Sequence, residues 1–443
     1  MKEKLLELIE NKELKIGVVG LGYVGLPLAV ECASAGYKTI GFDIQKEKVD
    51  KVNKGENYIG DIVPEELKKV VKNGKLVATT DFSHIAEVDF IAIAVPTPLD
   101  KHQQPDVSYI INSSETIAKH MKKQSIIVLE STTYPGTTEE LILPLIEKKS
   151  GLKCNEDFYL GFSPERVDPG NKEYKTKNTP KIVGAIGEDA NEIIAEVYRR
   201  VLSSDIKTVS SPAVAEMEKI LENTYRNINI GLVNEMAIIC HKMGIDVWEV
   251  IDAAATKPYG FQAFYPGPGL GGHCIPLDPY YLTWKAREYD YHTKLIEISG
   301  EINISMPEYV VERCTKILNK NKIALNGAKI LVSGIAYKAD IDDYRESPAI
   351  KVIEIYEKAG AEVIAYDPYL THYSIFTTDS LKSKKHKVET KINVKMIKDA
   401  DLVLITTNHS NVDYDLISKN AKIIFDTRNA MKNIKNRSNI ELL

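Results

Sequence analysis

Apolar residues in the first two hundred positions fall into short, nearly continuous runs that alternate with helix-like segments. From Leu14 the order is "LKIGVVG", then "LGYVGLPLAVECASAGY", then "KTIGFDI". "VDFIAIAVPTP" and "SIIVLESTT" follow, and each ends in small polar residues. Continuous apolar strands separated by helices are typical of a parallel sheet covered on both faces. This part of the chain therefore predicts an α/β domain.

The carboxyl-terminal third repeats the same pattern. "AKILVSGIAYK" is followed by "GAEVIAYDP", "ADLVLITTNHS" and "AKIIFDTRN". In both parts the second strand runs into an aspartate, Asp43 and Asp367. Any two doubly wound domains share most of this likeness. We predict two Rossmann-like, doubly wound parallel-sheet domains, at residues 1–210 and 323–443.

Strand-like runs are absent from the middle of the chain, from about residue 211 to residue 322. "AVAEMEKILENTYRNINIGLVNEMAIICHKMGI" carries apolar residues at helical spacing, and its first glycine is Gly231. The pattern predicts one or two long helices in a central helical domain, 211–322, that joins the other two. An apolar stripe on such a helix often forms the seam of a symmetric dimer, but burial against the chain's own domains explains it equally well.

Composition narrows the class of protein. A chain of 443 residues, 44% hydrophobic and 27% charged, has the make-up of a multidomain globular protein. The net charge of −5 argues against a nucleic-acid-binding surface. No window approaches the length of an apolar membrane span, and "MKEKLLELIENKELK" lacks the apolar core of a signal peptide. Five scattered cysteines without a C-x-x-C pair indicate neither a disulfide framework nor a metal site, so we expect a cytoplasmic protein without metal.

The first strand runs into a glycine turn of the kind that binds dinucleotides. Gly20-x-Gly22-x-x-Gly25 follows "KIGVV" and opens a helix, and Asp43 ends the next strand. In this strand–turn–helix context the motif is specific. The glycines permit a tight turn and close approach of a pyrophosphate to the helix N-terminus. Asp43 would accept hydrogen bonds from a ribose diol and repel a 2′-phosphate, so we expect NAD in preference to NADP.

Further candidates for cofactor contacts lie near this turn and at the ends of later strands. Lys48 is one turn into the helix after Asp43, where it either reaches the adenosine ribose or is solvated. Thr97, Ser131 and Thr132 follow strands at the sheet edge where ligands bind, although each also fits ordinary turn chemistry. The predicted NAD-binding residues are Gly20, Gly22, Tyr23, Val24, Gly25, Asp43, Lys48, Thr97, Ser131 and Thr132.

A second group of motifs surrounds a cysteine. "GPGLGGHCIPLD" crowds four glycines against Cys274, which is either a buried small hydrophobe or a nucleophile within reach of a substrate. Lys219 and Asn223 stand four apart, hence on one helix face, and such a pair can stabilise an oxyanion, whereas a lone lysine is usually solvated. "GFSPERVDPG" adds Glu165 directly after a strand and a proline.

In this order the motifs resemble the UDP-glucose/GDP-mannose dehydrogenase family. The match covers nearly the whole chain: the glycine turn, "STTYPG", "SPE", the Lys-x-x-x-Asn helix, "GGHCIPLD" and "YKADIDDYRESPA", which contains Lys338 and Arg345. Together these motifs are highly specific. The resemblance implies oxidation of a nucleotide-sugar alcohol to a carboxylate with two NAD⁺, and a homodimer or higher oligomer. It also implies that the last domain binds UDP, with Lys338 and Arg345 near the phosphates.

The resemblance further implies a role for each motif. Cys274 would capture the intermediate aldehyde as a thiohemiacetal and then carry it as a thioester. The implied catalytic residues are Cys274 as nucleophile, Lys219 and Asn223 at the oxyanion, Asp278 and Thr132 at a water, and Glu165 in thioester hydrolysis. The implied substrate-binding residues are Glu165, Arg166, Val167, Lys219, Asn223, Tyr265, Gly267, Gly269, Gly271 and Lys338, and Arg345 joins the NAD-binding residues.

The sequence of the cysteine loop indicates the class of sugar in the substrate. "KPYGFQAFYPGPGLGGHCIPLDPYYLTWKARE" is similar to the branch acting on UDP-N-acetylhexosamines, and most similar to its UDP-N-acetylglucosamine 6-dehydrogenases. Many members carry an arginine shortly before this loop, contributed across the dimer, where this chain has "TKPYGF". UDP-N-acetylmannosamine, UDP-N-acetylgalactosamine and UDP-glucose remain alternatives because a few loop contacts decide between them. A non-catalytic nucleotide-sugar-binding protein is a distant alternative, against which the intact Cys274, Lys219, Asn223 and Asp278 argue.

Overall fold

A computed structural model describes residues 1–60, 62–100, 102–168, 170–272, 274–376 and 383–443. By contact density the chain divides into two compact units. The first comprises Met1–Glu222 and Tyr280–His292, and the second comprises Asn223–Pro279 and Thr293–Leu443. Within the described residues, no helix is both long and apolar enough to cross a membrane.

The first unit is built on an eight-stranded sheet with the order β3-β2-β1-β4-β5-β6-β7-β8. Its strands are β1 (Lys15–Val19), β2 (Lys38–Phe42), β3 (Leu76–Thr79), β4 (Phe90–Ile93), β5 (Ile126–Leu129), β6 (Tyr159–Phe162), β7 (Lys181–Ala185) and β8 (Ile206–Val209). All neighbours are parallel except β6 and β7, which are antiparallel. Every residue of β4, β5 and β6 is buried, whereas burial is discontinuous in the edge strands β3 and β8. This is why the inner strands read as continuous apolar runs.

Among the described residues before 211, seven α-helices accompany the sheet in sequence. They are α1 (Lys2–Glu10), α2 (Gly25–Ser34), α3 (Lys46–Asn53), α4 (Pro64–Lys72), α5 (Ser108–His120), α6 (Leu143–Ser150) and α7 (Glu188–Val201), with a 3₁₀ segment at Phe82–Glu87 and a π-helical turn at Thr137–Ile142. Two large apolar clusters form most of the core described for this unit, and a smaller one comprises Tyr134, Ile220 and Tyr281. Of the two large clusters, one includes Leu26 and Tyr198, and the other includes Phe162 and Ile117. The strand–helix alternation predicted from the apolar runs is confirmed.

The carboxyl-terminal part of the second unit carries a five-stranded parallel sheet with the order β10-β9-β13-β14-β15. Its strands are β9 (Lys329–Ser333), β10 (Glu362–Tyr366), β13 (Leu402–Ile405), β14 (Ile424–Asp426) and β15 (Ile440–Leu442), and its helices are α12 (Pro348–Lys358), α13 (Val394–Asp399) and α14 (Tyr414–Asn420). An antiparallel pair, β11 (His372–Phe376) and β12 (Ser383–Lys387), is inserted after β10. The predicted second Rossmann-like sheet is therefore present.

No strand occurs among the described residues between 211 and 322. This stretch contains α8 (Pro212–Met243), α9 (Val247–Ala255), α10 (Asp278–Ala286), a 3₁₀ turn at Arg287–Tyr289 and α11 (Lys294–Lys320). Gly231 of α8 packs against Ser299 of α11, where a Cβ would lie 3.2 Å from the Ser299 carbonyl oxygen. The prediction of long helices in the middle is confirmed by α8, of 32 residues, and α11, of 27. The three-domain boundaries stay a prediction.

Candidate active site

The turn after β1 has a backbone conformation that glycine adopts without strain. Gly20 has a φ of 94°, and a side chain there would collide with the Ala94 carbonyl at the end of β4. Gly25 opens α2 so close to Gly20 that a Cβ would collide with the Gly20 carbonyl. At Gly22 nothing lies within 4 Å of the Cβ position. The turn is tight at both ends and open in the middle, so a phosphate can approach the N-terminus of α2.

Asp43, directly after β2, holds this turn in place. Its Oδ2 accepts a hydrogen bond from the Leu21 N–H at 2.9 Å, and its Oδ1 accepts one from the Gln45 N–H at 2.8 Å. Lys48 Nζ lies 3.7 Å from Asp43 Oδ2 and is half-buried. Both carboxylate oxygens of Asp43 therefore hold the protein's own backbone, and its contact with a ribose stays a prediction.

Side-chain hydrogen bonds join the loop after β4 to the loop after β5 and to α10. The Ser131 hydroxyl donates to the Val95 carbonyl at 2.7 Å. The Thr97 carbonyl accepts a hydrogen bond from the Tyr281 hydroxyl of α10. Ser131 is therefore used as a structural link, while Thr132, the next residue, is half-buried at the same edge of the sheet.

Glu165 and Arg166 lie in the loop after β6. Glu165 Oε1 accepts hydrogen bonds from the N–H groups of Arg166, at 2.7 Å, and Val167, at 2.9 Å. The Arg166 guanidinium donates through Nε to Glu222 of α8 at 3.1 Å and lies 3.5 Å from Glu218. Burial, and then the Glu222 carboxylate, raise the pKa of Glu218. The loop is thereby fastened to the same stretch of α8 that carries Lys219.

The Lys-x-x-x-Asn pair lies on a buried face of α8. Lys219 is 6% exposed and Asn223 is 5% exposed. Asn223 Nδ2 donates to Asp278 Oδ2 at 2.6 Å, and one turn further along, Asn227 Nδ2 donates to the Ile275 carbonyl at 3.0 Å. A lysine buried on the same helix face is not the solvated lysine of the alternative interpretation.

The cysteine segment ends where α10 begins. The Asp278 N–H donates to the Cys274 carbonyl at 2.8 Å, and the Leu277 N–H donates to the same oxygen at 3.1 Å. Cys274 is exposed, whereas Asp278, the first residue of α10, is only 3% exposed. His273 of the quoted loop lies outside the described residues. The sequence analysis left open that Cys274 is a buried small hydrophobe. Its exposed thiol, four residues from a buried carboxylate, does not fit that alternative.

The glycines of this loop make room for other parts of the second unit. A Cβ on Gly267 would collide with the Arg428 guanidinium, and one on Gly271 would lie 2.5 Å from Tyr337 Cβ. Gly269 has a φ of 135°, and a Cβ there would lie 3.0 Å from Pro348. The high glycine content thus lets the loop pack closely against the segment after β9 and against the segment after β14.

The segment after β9 carries the two predicted basic residues. Arg345 pairs with Asp343 through Nε at 2.9 Å and Nη2 at 2.6 Å, and its carbonyl accepts a hydrogen bond from the Gly272 N–H at 3.2 Å. Lys338 is half-buried in the same segment. Tyr265 of the cysteine loop donates its hydroxyl to Asp252 at 2.8 Å.

Asp367 occupies the position after β10 that Asp43 occupies after β2. Its Oδ2 accepts hydrogen bonds from the N–H groups of Ile335, at 2.7 Å, and Ala336, at 2.9 Å, and lies 3.0 Å from His409 Nε2. Burial acts to raise the pKa of Asp367, but His409 and the backbone N–H groups, which bind its charged form, lower the pKa below its usual value. Asp367 is completely buried, and its Oδ1 accepts a hydrogen bond from the Tyr369 N–H at 2.9 Å, so both of its carboxylate oxygens hold the protein's own structure.

Arg428 is a basic residue beside the cysteine loop that the sequence analysis did not single out. It follows β14, its Nε donates to the Thr406 carbonyl at 3.1 Å, and it faces Gly267 of the cysteine loop. Burial lowers the pKa of Arg428 to about 10, opposed by the charge of Asp426. The available signal was "FDTRN", a basic residue at the end of an apolar strand on the edge where ligands bind.

The predicted residues divide between the two compact units. The first unit holds Gly20, Gly22, Tyr23, Val24, Gly25, Asp43, Lys48, Thr97, Ser131, Thr132, Glu165, Arg166, Val167 and Lys219; the second holds Asn223, Tyr265, Gly267, Gly269, Gly271, Cys274, Asp278, Lys338 and Arg345. The first unit fits NAD, because it has an open glycine turn at a helix N-terminus and an acid at the end of β2. The second brings an exposed thiol together with a buried amide–carboxylate pair, a set suited to covalent chemistry on a carbonyl.

Comparison with known proteins identifies the family of this chain. Three domain descriptions of the UDP-glucose/GDP-mannose dehydrogenase family match: the NAD binding domain at residues 14–202, the central domain at 213–305 and the UDP binding domain at 331–433. A UDP-N-acetyl-D-glucosamine 6-dehydrogenase of Pseudomonas aeruginosa is 39% identical over 360 residues, 81% of this chain and 84% of that protein.

A UDP-N-acetyl-D-mannosamine dehydrogenase of Pyrococcus horikoshii is 38% identical over 427 residues, 95% of this chain and 96% of that protein. A solved structure of a UDP-D-ManNAc dehydrogenase from Pyrococcus horikoshii superposes with a TM-score of 0.85 at 35% identity, and covers 97% of this chain and 98% of that one. The fold is that of the three-domain UDP-sugar dehydrogenases. The chain belongs to the UDP-glucose/GDP-mannose dehydrogenase family and is an NAD-binding member of it.

Proposed function

We propose that this protein oxidises the C6 hydroxymethyl group of UDP-N-acetylglucosamine to the carboxylate, with two NAD⁺ consumed per sugar. The observation that carries the proposal is the hydrogen bond between Asn223 and Asp278 beside the exposed Cys274. Relatives that match most of the chain are named for UDP-N-acetylhexosamines, which supports this class of substrate.

The chemistry requires a residue that retains the aldehyde between two oxidations. NAD⁺, when bound, would supply the hydride acceptor for both oxidations. The Cys274 thiolate adds to the aldehyde carbon, which gives a thiohemiacetal, and after the second oxidation the same carbon is held as a thioester. Water then adds to the thioester carbonyl, the C–S bond breaks, and the carboxylate leaves as the thiolate is restored.

The other catalytic residues stabilise charge and manage water. We assign Lys219 and Asn223 to the oxyanion, because a buried ammonium and a directed amide N–H both favour negative oxygen. Asp278 accepts a hydrogen bond from Asn223 Nδ2, which fixes the orientation of the amide. The second N–H of this amide is the one that we assign to the oxyanion. Asp278 and Thr132 position the hydrolytic water, and Glu165 assists its attack on the thioester.

Substrate binding is assigned to residues from several parts of the chain. We propose that the chain functions as an NAD-binding domain at 1–210, a central helical domain at 211–322 and a UDP-sugar-binding domain at 323–443. The proposed substrate contacts are Glu165, Arg166, Val167, Lys219, Asn223, Tyr265, Gly267, Gly269, Gly271, Lys338 and, added from the structure, Arg428. Arg345 is assigned to NAD.

UDP-N-acetylmannosamine is the second candidate substrate, because the Pyrococcus horikoshii relative named for it matches 95% of the chain. Steady-state turnover with UDP-GlcNAc, UDP-ManNAc, UDP-GalNAc and UDP-glucose, measured side by side, tests the proposal. We expect the highest kcat/KM with UDP-GlcNAc and two NADH per sugar consumed. One NADH per sugar would indicate a simple alcohol dehydrogenase, and none with any sugar would indicate a binding protein.

We also propose that α8 forms the seam of a homodimer. A line of apolar side chains along this helix is exposed in the single chain: Val214, Met217, Leu221, Tyr225, Leu232, Ile239 and Met243. Their spacing of three, four or seven residues is that of one helix face, and Leu221 is 63% exposed. An apolar stripe of this length on one helix is the self-complementary surface that a two-fold dimer buries.

Sedimentation velocity at micromolar concentration tests the dimer. The wild-type chain should sediment as a dimer or larger, and Leu221→Glu should shift it to monomer because two carboxylates would be buried at the seam. Tyr109→Glu, at an exposed position in the first turn of α5, is the control and should leave the assembly unchanged. A wild-type monomer, or a Leu221→Glu variant that stays dimeric, would contradict the assignment.

A further inference from the structure

A buried ion pair lies beneath the catalytic edge of the first unit's sheet. Lys181 Nζ is 2.6 Å from Glu130 Oε2, and the two side chains are 7% and 0% exposed. The Tyr198 hydroxyl donates to Glu130 Oε1, and Lys181 Nζ lies 5.0 Å from the centre of the Tyr198 ring. None of these three residues touches the chemistry assigned above.

A pair buried to this degree needs an explanation other than stability. Removing both charges from water costs about as much as their attraction returns, so an apolar pair of the same size would serve the core equally well. Burial raises the pKa of the Glu130 carboxyl, and the charge and hydrogen bonds of Lys181 and Tyr198 act against that rise. Lys181 and Tyr198 therefore favour the charged form of Glu130, which accepts their hydrogen bonds, whereas burial disfavours that form.

The sequence neighbours of the pair are catalytic candidates. Glu130 directly precedes Ser131 and Thr132, at the end of β5. Lys181 Nζ also donates to the carbonyl of Pro164 at 3.2 Å, and Pro164 directly precedes Glu165. One ammonium group therefore binds both the residue before the "STT" loop and the residue before Glu165.

The reversed strand explains how a single lysine reaches both loops. β5 and β6 are parallel neighbours, so their carboxyl ends lie at the same edge of the sheet. β7 runs antiparallel to β6, with Phe162 opposite Gly184, so the first residue of β7, Lys181, lies at that same edge. In an all-parallel sheet the first residue of β7 would lie at the opposite edge.

We propose that Lys181 and Glu130 are positioning residues that set the distance between Thr132 and Glu165. The inference rests on the proposed function, in which Thr132 positions the hydrolytic water and Glu165 assists its attack. A loss of either charge would let the two loops shift relative to each other. A displacement of about 1 Å at catalytic groups can reduce a rate about 100-fold, so thioester hydrolysis is the step affected.

Rapid-mixing kinetics on the full chain test this assignment with Lys181→Met and Glu130→Gln. NADH formation reports both oxidations, and quenched samples report release of the carboxylate. We expect an initial burst of NADH whose rate is within about twofold of the wild-type rate. Carboxylate release should slow about 10- to 100-fold. The NAD dissociation constant, measured by fluorescence, should not change. The double variant should be no slower than the slower single variant, because both changes break one contact.

The matched control is a Lys–Glu pair nearer the surface of the same unit, with an exposed lysine and a half-buried glutamate. Lys153 Nζ lies 3.0 Å from Glu147, and Lys153→Met with Glu147→Gln should leave every step at the wild-type rate. The Lys181 and Glu130 variants could instead slow the NADH burst and carboxylate release equally and bind NAD more weakly. That result would overturn the proposal and show that the pair is purely structural. Wild-type hydrolysis rates would overturn it as well. Glu130→Gln, which changes charge but hardly volume, decides the question if Lys181→Met does not fold.

The failure of the inference and that of the proposed function give different results. If the wild-type protein releases no carboxylate from any of the four UDP-sugars, the function is wrong. If it releases carboxylate and the two variants hydrolyse the thioester normally, only the positioning role is wrong.

Discussion

Cys274→Ser should abolish formation of the uronate while leaving the NAD site intact. A serine hydroxyl is far less ionised than a thiol at neutral pH, so it captures the aldehyde poorly, and the ester it would form hydrolyses differently from a thioester. We expect uronate production to fall by at least about 10³-fold, as for loss of a covalent nucleophile elsewhere. The measurement is uronate and NADH per UDP-GlcNAc in single-turnover mixtures, beside the NAD dissociation constant.

The other cysteines are the controls for this substitution. Burial raises the pKa of the Cys314 thiol to about 12 and that of Cys154 to about 11, so both remain protonated. Cys32 and Cys240 are buried in the core. Cys154→Ser, at a half-buried position, should retain full turnover. Uronate release by Cys274→Ser with two NADH per sugar at near the wild-type rate would show that the covalent mechanism is wrong and that the loop only binds substrate.

Lys219→Ala should reduce kcat by a factor of about 10²–10³, the usual effect of removing one donor to a reactive oxyanion. An interaction made mainly in the transition state lowers kcat and kcat/KM together, so the KM for UDP-GlcNAc should change little. The burial of Lys219 on the face of α8 that carries Asn223 is the structural basis for this expectation.

Two additional measurements separate catalysis from folding. Lys242→Ala, an exposed lysine near the end of α8, should leave both kinetic constants unchanged. Small primary amines added to Lys219→Ala should restore part of kcat if the missing group is a cation at the oxyanion. A higher KM with an unchanged kcat would instead assign Lys219 to ground-state substrate binding.

The features that could be predicted from the sequence are those that depend on local patterns. The turn at Gly20, Gly22 and Gly25 and the acid Asp43 could be predicted because the motif depends on a strand, a turn and a helix that are adjacent in the chain. The helical middle could be predicted because α8 keeps one hydrophobic period for 32 residues. The reversal of β7 could not, because a short buried apolar run has the same composition whichever way it is directed.

The glycine-rich cysteine loop shows where such reasoning ends. The sequence indicated that Gly267, Gly269 and Gly271 need unusual backbone or close contact, and both are found. It did not indicate that the contacts would be Tyr337, Pro348 and Arg428. These residues lie between about 65 and 160 positions further along the chain, so only the packing of the second unit brings them to the loop.

The sequence by itself determined the two doubly wound sheets, the dinucleotide turn and the types of residue available for chemistry, because backbone periodicity and turn preferences act over a few neighbouring residues. Only the tertiary structure decided which of those residues meet: Asn223 with Asp278 over 55 positions, Lys181 with Glu130 over 51, and Asp367 with His409 over 42. Each of these partners is a buried polar group, and burial requires a hydrogen-bonding partner without specifying where in the chain it comes from. The identity of that partner is fixed when the strands and helices pack.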